Sequence, residues 1–516
     1  MIYSNLADTT TNQIPGGLGS WDTDFSFFTL NISPSGQYWL LNFQEENTNP
    51  EVLIAGSGLA GSPVLVEGVD GFDGRTIDGI DSSGRINDSG QWAIGGDLNG
   101  SSTSDDVIVS GDLGGLTTLW AQEGSAIPAI YGFGSDSTWD TLDSTAIDAS
   151  GTVYWAADAL DGADFSSAND EIIATSSGVV IAQKGVTVPT NQPDPARPYD
   201  DFDLDDLHVS ADGMQVMVRG DIGGSSADDD ALFVNDAIVV RENFTLSAIG
   251  ITGAALLTQV VDGLSAGIDQ QFLAPNGDWY VFGQLIDAAT NWAVRNGALI
   301  AASGDPITVG ASETWDDPNN FVQDFSVFVG NGQGDYLLGG ETSAGDSVLV
   351  LNGTSVLLRT GDPVQLDGAT GVAFFDSFEF QETRLGNDMQ VYSLVNFRGA
   401  DGTPIGSGFI TLDASSPSGD QDGDGVADST DNCVAVANAD QRDSNGDGFG
   451  NVCDADLDNN CVVNFVDLGQ LRTAFFSTGP DADFDGDGVV NFVDLGILRQ
   501  GFFEPPGPSG IENDCD

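Results

Sequence analysis

The chain has 516 residues, with 80 acidic against 13 basic side chains and a formal net charge of −67. That charge excludes nucleic acid and anionic membranes as partners, since both are polyanions. No run of eighteen or more apolar residues is present, so no membrane insertion is expected.

Aspartate outnumbers glutamate about five to one, and Lys184 is the single lysine. Aspartate favours turns and metal loops, whereas glutamate favours helices. The bias therefore points to loops and cations, with a saline habitat as the alternative. The opening "MIYSNLADTT" has no apolar signal region and reads as a mature or trimmed form.

Up to residue 413 a short apolar strand led by a turn recurs: "ISPSGQYWLL", "INDSGQWAIG", "IDASGTVYWA", "VSADGMQVMV", "LAPNGDWYVF", "VGNGQGDYLLG" and "RLGNDMQVYSL". The turn positions are Gly36, Gly90, Gly151, Gly213, Gly277, Gly334 and Asp388, giving seven repeats of about 55–60 residues. Further short alternating strands follow each turn, bounded by Gly, Asn, Asp and Ser. No long stretch carries helical periodicity. Seven repeats of about four strands predict a seven-bladed β-propeller, with paired β-sandwiches or a solenoid as the alternative. The turns "SPSGQYW" and "APNGDWYV" are similar to the "SPDG" turns of TolB-like propellers, a resemblance that implies the same fold. The last repeat stops early at "GSGFITLD", and "MIYSNLADTTTNQIPGG" reads like the strand it lacks. That segment is expected to complete the last blade. It does so either in its own chain or by strand addition to a neighbour, which would build a filament.

Signals of catalysis are thin. His208 is the sole histidine, and a lone histidine at a strand start is more often structural than catalytic. "GLSAG" around Ser265 matches the nucleophile-elbow pattern without its strand-turn-helix context. The chain is read as non-enzymatic, with a carboxylate-dependent glycan enzyme as the weakest alternative. Blade-loop acids Asp105, Asp106, Asp170, Asp228, Asp229 and Asp230 are candidates for further calcium, solvated loop tips being the plainer reading. Trp39, Trp92, Trp155 and Trp279 follow the turns and read as blade core rather than as a sugar platform.

A linker, "ASSPSG" at 414–419, leads into four acid-lined loops. The first places Asp420, Asp422, Asp424, the Val426 carbonyl, Asp428 and Asp431 at positions 1, 3, 5, 7, 9 and 12. The second uses Asp443, Asn445, Asp447, the Phe449 carbonyl, Asn451 and Asp454. The third uses Asp456, Asp458, Asn460, the Val462 carbonyl, Asn464 and Asp467, with Cys461 where a bend glycine is usual. The fourth uses Asp483, Asp485, Asp487, the Val489 carbonyl, Asn491 and Asp494, with Gly488 at the bend. Alternating oxygens on a tight turn suit a hard cation that takes six to eight oxygen ligands, and about four calcium ions are expected. Each of the last two loops runs into an apolar helix, "NFVDLGQLRTAFF" and "NFVDLGILRQGFF". These are expected to pack through Leu468, Leu471, Phe475, Leu495, Leu498 and Phe502.

The stretch 420–455 resembles a thrombospondin type 3 repeat, and 456–516 contains a pair of loops that resembles a type I dockerin. The first resemblance implies a Cys433–Cys453 disulfide bracketing calcium-loaded loops. The remaining cysteines, Cys461 and Cys515, are then left to each other. Together they imply an EF-hand-like calcium module and an oxidising, extracellular compartment. Phe465 and Phe492 stand at position 10, where cohesin-binding dockerins usually show small or polar residues. The resemblance thus carries calcium binding over more directly than cohesin binding. The leading expectation is a secreted structural protein that self-associates into a calcium-stabilised fibre or surface layer. The alternative is a ligand- or glycan-binding propeller held on a cell surface or scaffold by its calcium module.

Overall fold

The structure is a computed structural model that describes residues 3–4, 13–14, 19–20, 26–44, 50–81, 84–100, 104–160, 165–190, 197–202, 207–223, 229–241, 268–284, 291–316, 324–364, 373–399, 402–415, 431–434, 436–438, 441–503 and 505–511. The chain divides into two compact units, Met1–Asp413 and Ala414–Asp516.

The first unit is a seven-bladed propeller of antiparallel sheets. Blade 3 shows the plan, with strands Thr138–Ile147, Val153–Leu160, Glu171–Thr175 and Val180–Gln183 joined in sequence order. The seven innermost strands are Ser26–Ile32, Arg85–Ile86, Thr138–Ile147, His208–Val209, Ile268–Leu273, Phe325–Gly330 and Ala373–Leu385. Each touches the next, and the last touches the first, so the ring is closed. In blades 2 and 4 the inner position is shared. Arg75–Ile80 joins Arg85–Ile86 on Trp92–Leu98, and Tyr199–Phe202 joins His208–Val209 on Val216–Ile222.

The N-terminal segment closes its own ring. Tyr3–Ser4 runs antiparallel to Pro404–Asp413, with Tyr3 opposite Phe409 and Ser4 opposite Gly408. Of the two closures open to the sequence, this is the one within a single chain.

Apolar faces of neighbouring blades meet to form the core. Trp39, Trp92 and Trp155 are buried there, and Trp279 is half-buried against its edge. The indole hydrogens of Trp39 and Trp92 are placed where a carbonyl accepts them: Trp39 Nε1 donates to Gly58 O at 2.9 Å and Trp92 Nε1 to Asp112 O at 2.8 Å. Buried polar tips need such partners.

The recurring turns do a second job, because hydrogen bonds join neighbouring turns at six of the seven blade junctions. Ser35 Oγ donates to Asp88 at 2.6 Å, and Asn87 Nδ2 to Asp148 O at 3.0 Å. Ala149 N–H donates to Ala211 O at 2.8 Å and Ala211 N–H to Pro275 O at 3.0 Å. Gly332 N–H donates to Asn387 Oδ1 at 2.7 Å, and Asn387 N–H to Pro34 O at 3.4 Å, bringing blade 7 back to blade 1. Glycine is needed in this belt for space as well as for φ. At Gly213 (φ 69°) a Cβ would stand 2.7 Å from Tyr154 Oη and 2.8 Å from Asp148 Oδ2. In the seventh repeat the left-handed residue is Met389 (φ 62°) rather than Asp388. Asp388 instead lays its carboxylate where a Cβ on Gly36 would go, at 2.3 Å.

Asp81 shows what the acidic composition costs inside the ring. Its carboxyl is pushed up to about 7, by burial first and then by Asp97, Asp143, Asp106 and Glu51. The folded chain therefore holds a proton that the unfolded chain releases near pH 3.8. Folding stability must fall as pH rises between these values, since the native state binds more protons there. In chelator, urea denaturation is expected to give a lower unfolding free energy at about pH 7 than at about pH 5, and Asp81→Asn is expected to flatten that slope.

Candidate metal centres

Among the described residues the second unit carries two short helices, α1 (Phe465–Ala474) and α2 (Phe492–Gln500). Asn464 and Asn491 cap them, accepting from Val466 N and Val493 N at 2.8 Å. Asp467 and Asp494 return the favour as capping boxes, each accepting from its cap residue's N–H at 2.7 Å. The helices and loops pack around Val463, Leu471, Phe484, Val490 and Leu498, with Leu468, Phe475, Leu495 and Phe502 partly buried against them. All six residues expected at the helix contact are in this cluster.

Each loop gathers carboxylates ahead of its helix. Oxygens of Asp456, Asp458 and Asp467 lie within 4.8 Å of one another, as do those of Asp483, Asp485 and Asp494. These are positions 1, 3 and 12 of the two loops. Asp456 and Asp483 are only 1% and 4% exposed. One oxygen of each is used: Asp456 Oδ2 accepts from Cys461 N at 2.5 Å and Asp483 Oδ2 from Gly488 N at 3.0 Å. The other oxygen of each, Oδ1, is buried with no hydrogen-bond partner. A buried, unsatisfied carboxylate oxygen facing like charges is unfavourable unless a cation joins it. The donors are all oxygen, the set that hard divalent cations take.

The remaining expected ligands are placed differently. Asn464 and Asn491 spend their oxygens on the helix caps, and their amide hydrogens go to the carbonyls of Val462 (2.9 Å) and Val489 (3.0 Å). Asp487 binds Val489 N–H and the Asn491 amide, outside the tight triplet. Asn460 follows Asn459, which has φ 53°, and Cys461 takes the left-handed conformation (φ 66°) that Gly488 takes in the partner loop (φ 89°).

In the loop that starts at Asp443, the carboxylate is spent on the N–H groups of Gly446 and Gly448. Asn445 binds Asp447, Asn451 binds Ser444, and Asp447 accepts from Phe449 N. Burial, then Asp447, pushes the Asp454 carboxyl up to about 7. No triplet of carboxylates within 4.8 Å forms in this loop among the described residues. Asp420, Asp422, Asp424, Val426 and Asp428 lie outside the described residues. Asp431 is buried, and its Oδ1 accepts from Cys433 N and Gln441 Nε2.

Cys433 and Cys453 are bonded, with Cα atoms 5.8 Å apart. Cys461 is also disulfide-bonded, while Cys515 lies outside the described residues. Arg442 reaches from the disulfide segment to the carbonyls of Asp483 and Phe484. Ser509 Oγ donates to Gly448 O at 2.7 Å and Gly507 N–H to Cys453 O at 3.1 Å. The disulfide segment, the paired loops and the tail are thus one packed body.

A third carboxylate triplet lies in the propeller: Asp105, Asp106 and Glu123. The next blade repeats the spot with one reversal of charge. Gln122 and Gln183 make the same amide bond, to Ser104 O and Asn169 O at 2.9 Å each. Glu123 N–H and Lys184 N–H then donate to Asp106 O (2.9 Å) and Glu171 O (3.0 Å). So Glu123 stands where blade 3 has Lys184, whose ammonium binds Asp170 and Glu171. Asp170 is therefore already served by the chain's own cation. Asp230 lies opposite Asp221 in blade 4, and Asp228 lies outside the described residues. His208 is on the innermost strand of blade 4, and Ser265 lies outside the described residues.

No protein-family model matches the chain, and no curated protein is similar in sequence. Solved structures match the chain weakly. The polysaccharide lyase Uly1 matches at 12% identity and a TM-score of 0.37, covering 79% of this chain and 94% of its own. Hydrazine synthase of Kuenenia stuttgartiensis matches at 11% and 0.37, over 78% and 100%. The Dos1 propeller matches at 9% and 0.33, over 76% and 92%.

The blade 2 and blade 3 comparison gives a direct test. Glu123→Lys should place an ammonium between Asp105 and Asp106 as Lys184 does next door. In chelator it is expected to raise the propeller's calorimetric midpoint by roughly 1–3 °C, whereas Lys184→Glu lowers it.

Proposed function

We propose that this is a secreted, non-enzymatic protein that binds calcium in its C-terminal unit and self-associates through that unit into a calcium-stabilised extracellular fibre or surface layer. The observation that carries the reading is the pair of buried, unpartnered oxygens, Asp456 Oδ1 and Asp483 Oδ1, each heading a loop whose last acid caps a helix. Calcium there offsets most of the triplet's negative charge and fixes Asp467 and Asp494. Those acids in turn fix the starts of α1 and α2. The first residues of the helices, Phe465 and Phe492, are 70% and 72% exposed. They sit in two matching aromatic groups. Phe465 is 5.0 Å from Phe502 and 6.1 Å from Phe503, and Phe492 is 5.1 Å from Phe475, itself 5.1 Å from Phe476. Exposed aromatic clusters on an otherwise acidic body mark an interaction surface.

Two further points support this reading. The Cys433–Cys453 disulfide suits an oxidising compartment, where calcium is abundant. The N-terminal strand is occupied in its own ring, so an assembly contact falls to the C-terminal unit. A propeller that binds a glycan is the other reading. The buried Trp39, Trp92 and Trp155 offer it no stacking platform.

Analytical ultracentrifugation tests the proposal. In about millimolar calcium the full chain should sediment as large species that revert to monomer on chelation. A Phe465→Ser, Phe492→Ser double variant should stay monomeric in calcium while still binding it. A wild-type chain that is monomeric in calcium would defeat the assembly reading.

A further inference from the structure

The two C-terminal loops are built alike but carry unequal charge. The later loop has four acids, Asp483, Asp485, Asp487 and Asp494, while the earlier has three, with Asn460 in place of Asp487. The disulfide segment touches both loops at their fourth position and treats them differently. At Asn459 it offers a neutral amide, Asn445 Nδ2 donating to Asn459 Oδ1 at 3.3 Å. At Gly486 it offers a cation. A Cβ on Gly486 would stand 3.4 Å from the Arg442 guanidinium carbon. Arg442 Nη1 is 3.5 Å from Asp483 Oδ2, and Nη2 donates to the carbonyls of Asp483 and Phe484. Among the described residues no basic side chain pairs with Asp456, Asp458 or Asp467.

We infer that Arg442 sets the calcium affinity of the Asp483 loop, holding it at least about tenfold weaker than the four acids alone would give. The inference deepens the calcium reading proposed above and rests on it. A guanidinium in this place has two opposed effects on a cation: it orders the loop, and it repels the charge. The Asp456 loop decides between them, because it forms the same cradle with no arginine. Cys461 N–H donates to Asp456 Oδ2 at 2.5 Å as Gly488 N–H does to Asp483 Oδ2 at 3.0 Å. Asp458 N–H donates to Asp467 Oδ1 at 3.2 Å as Asp485 N–H does to Asp494 Oδ1 at 3.4 Å. Asn464 and Asn491 donate their N–H groups to Asp467 and Asp494 at 2.7 Å each. The loops therefore order themselves, and repulsion is what the guanidinium adds. Arg442 is partly buried and Asp483 is buried, so solvent and salt screen the pair less than a surface pair. Four acids and one guanidinium sum to −3, the charge of the three-acid loop. The consequence is a site that responds to calcium outside cells. Modules working there bind at about 10⁻⁴–10⁻³ M, whereas a tighter loop would stay filled.

Calcium titration calorimetry of the stripped full chain at low ionic strength tests this. Arg442→Gln should tighten one site at least about tenfold and leave the others unchanged. Arg442→Met, a neutral chain of similar length, should show the same gain. Arg442→Lys keeps the charge without the fork and should bind as the wild type does. In an Asp483→Asn background the gain from Arg442→Gln should vanish, which assigns it to this loop. Affinity that is unchanged or weaker in Arg442→Gln and Arg442→Met, with the circular dichroism of the wild type retained, would overturn the inference while leaving calcium binding intact. A wild type that takes up no calcium would defeat the calcium reading itself, and this inference with it.

Discussion

Like charges held close together in a partly dry protein must be separated, protonated or bridged. Asp456 and Asp467 are both buried with oxygens within 4.8 Å. Two unit charges at that distance repel by about 3.5 kcal/mol at an effective dielectric constant of about 20. The same holds for Asp483 and Asp494. Nearly everything distinctive about this chain is an answer to that constraint. Blade 3 answers it with Lys184, the only lysine, and Asp81 answers it by keeping a proton. In the C-terminal unit the Arg442 guanidinium reaches Asp483 at 3.5 Å, one cation beside a triplet of carboxylates, and on our account calcium answers the rest.

The propeller ring is held by packing and hydrogen bonds. Its stability comes from tryptophans and aliphatic residues buried between blades, and its alignment from the belt of turn-to-turn hydrogen bonds. That belt has a further consequence. Because neighbouring turns are registered on one another, residues at one repeat position are brought into one layer of the channel. Arg85, His208 and Arg384 are more than 120 residues apart in the chain, yet share one cavity for this reason. The C-terminal unit works on the opposite principle. Its core is small, and its shape is tied to the loops through the Asn464–Asp467 and Asn491–Asp494 capping boxes.

Much of this was legible in the sequence because repetition exposes it. The glycine turns marked six of the seven blades, since glycine tolerates the positive φ of the belt and leaves room there. The incomplete last repeat pointed to the N-terminal strand, but only the pairing of Tyr3 with Phe409 chose its own chain over a neighbour. The spacing of acids found the triplets at positions 1, 3 and 12. It did not separate ligands from caps, because Asn464 and Asn491 suit either task and the helix start claims them here. Met389 was missed because a left-handed methionine has no sequence signal. The meeting of Arg85, His208 and Arg384 at one cavity was hidden for another reason. Arg85 and Arg384 look like surface residues until the repeats are stacked, and that stacking is a property of the closed ring.

The measurement that bears most directly on this account is a calcium titration of the stripped full chain by calorimetry, beside the Asp456→Asn, Asp483→Asn double variant. The account predicts that the wild type binds at least two ions and that the variant binds two fewer, with its propeller still folded. A wild type that takes up no calcium, or a variant with unchanged stoichiometry, would contradict it.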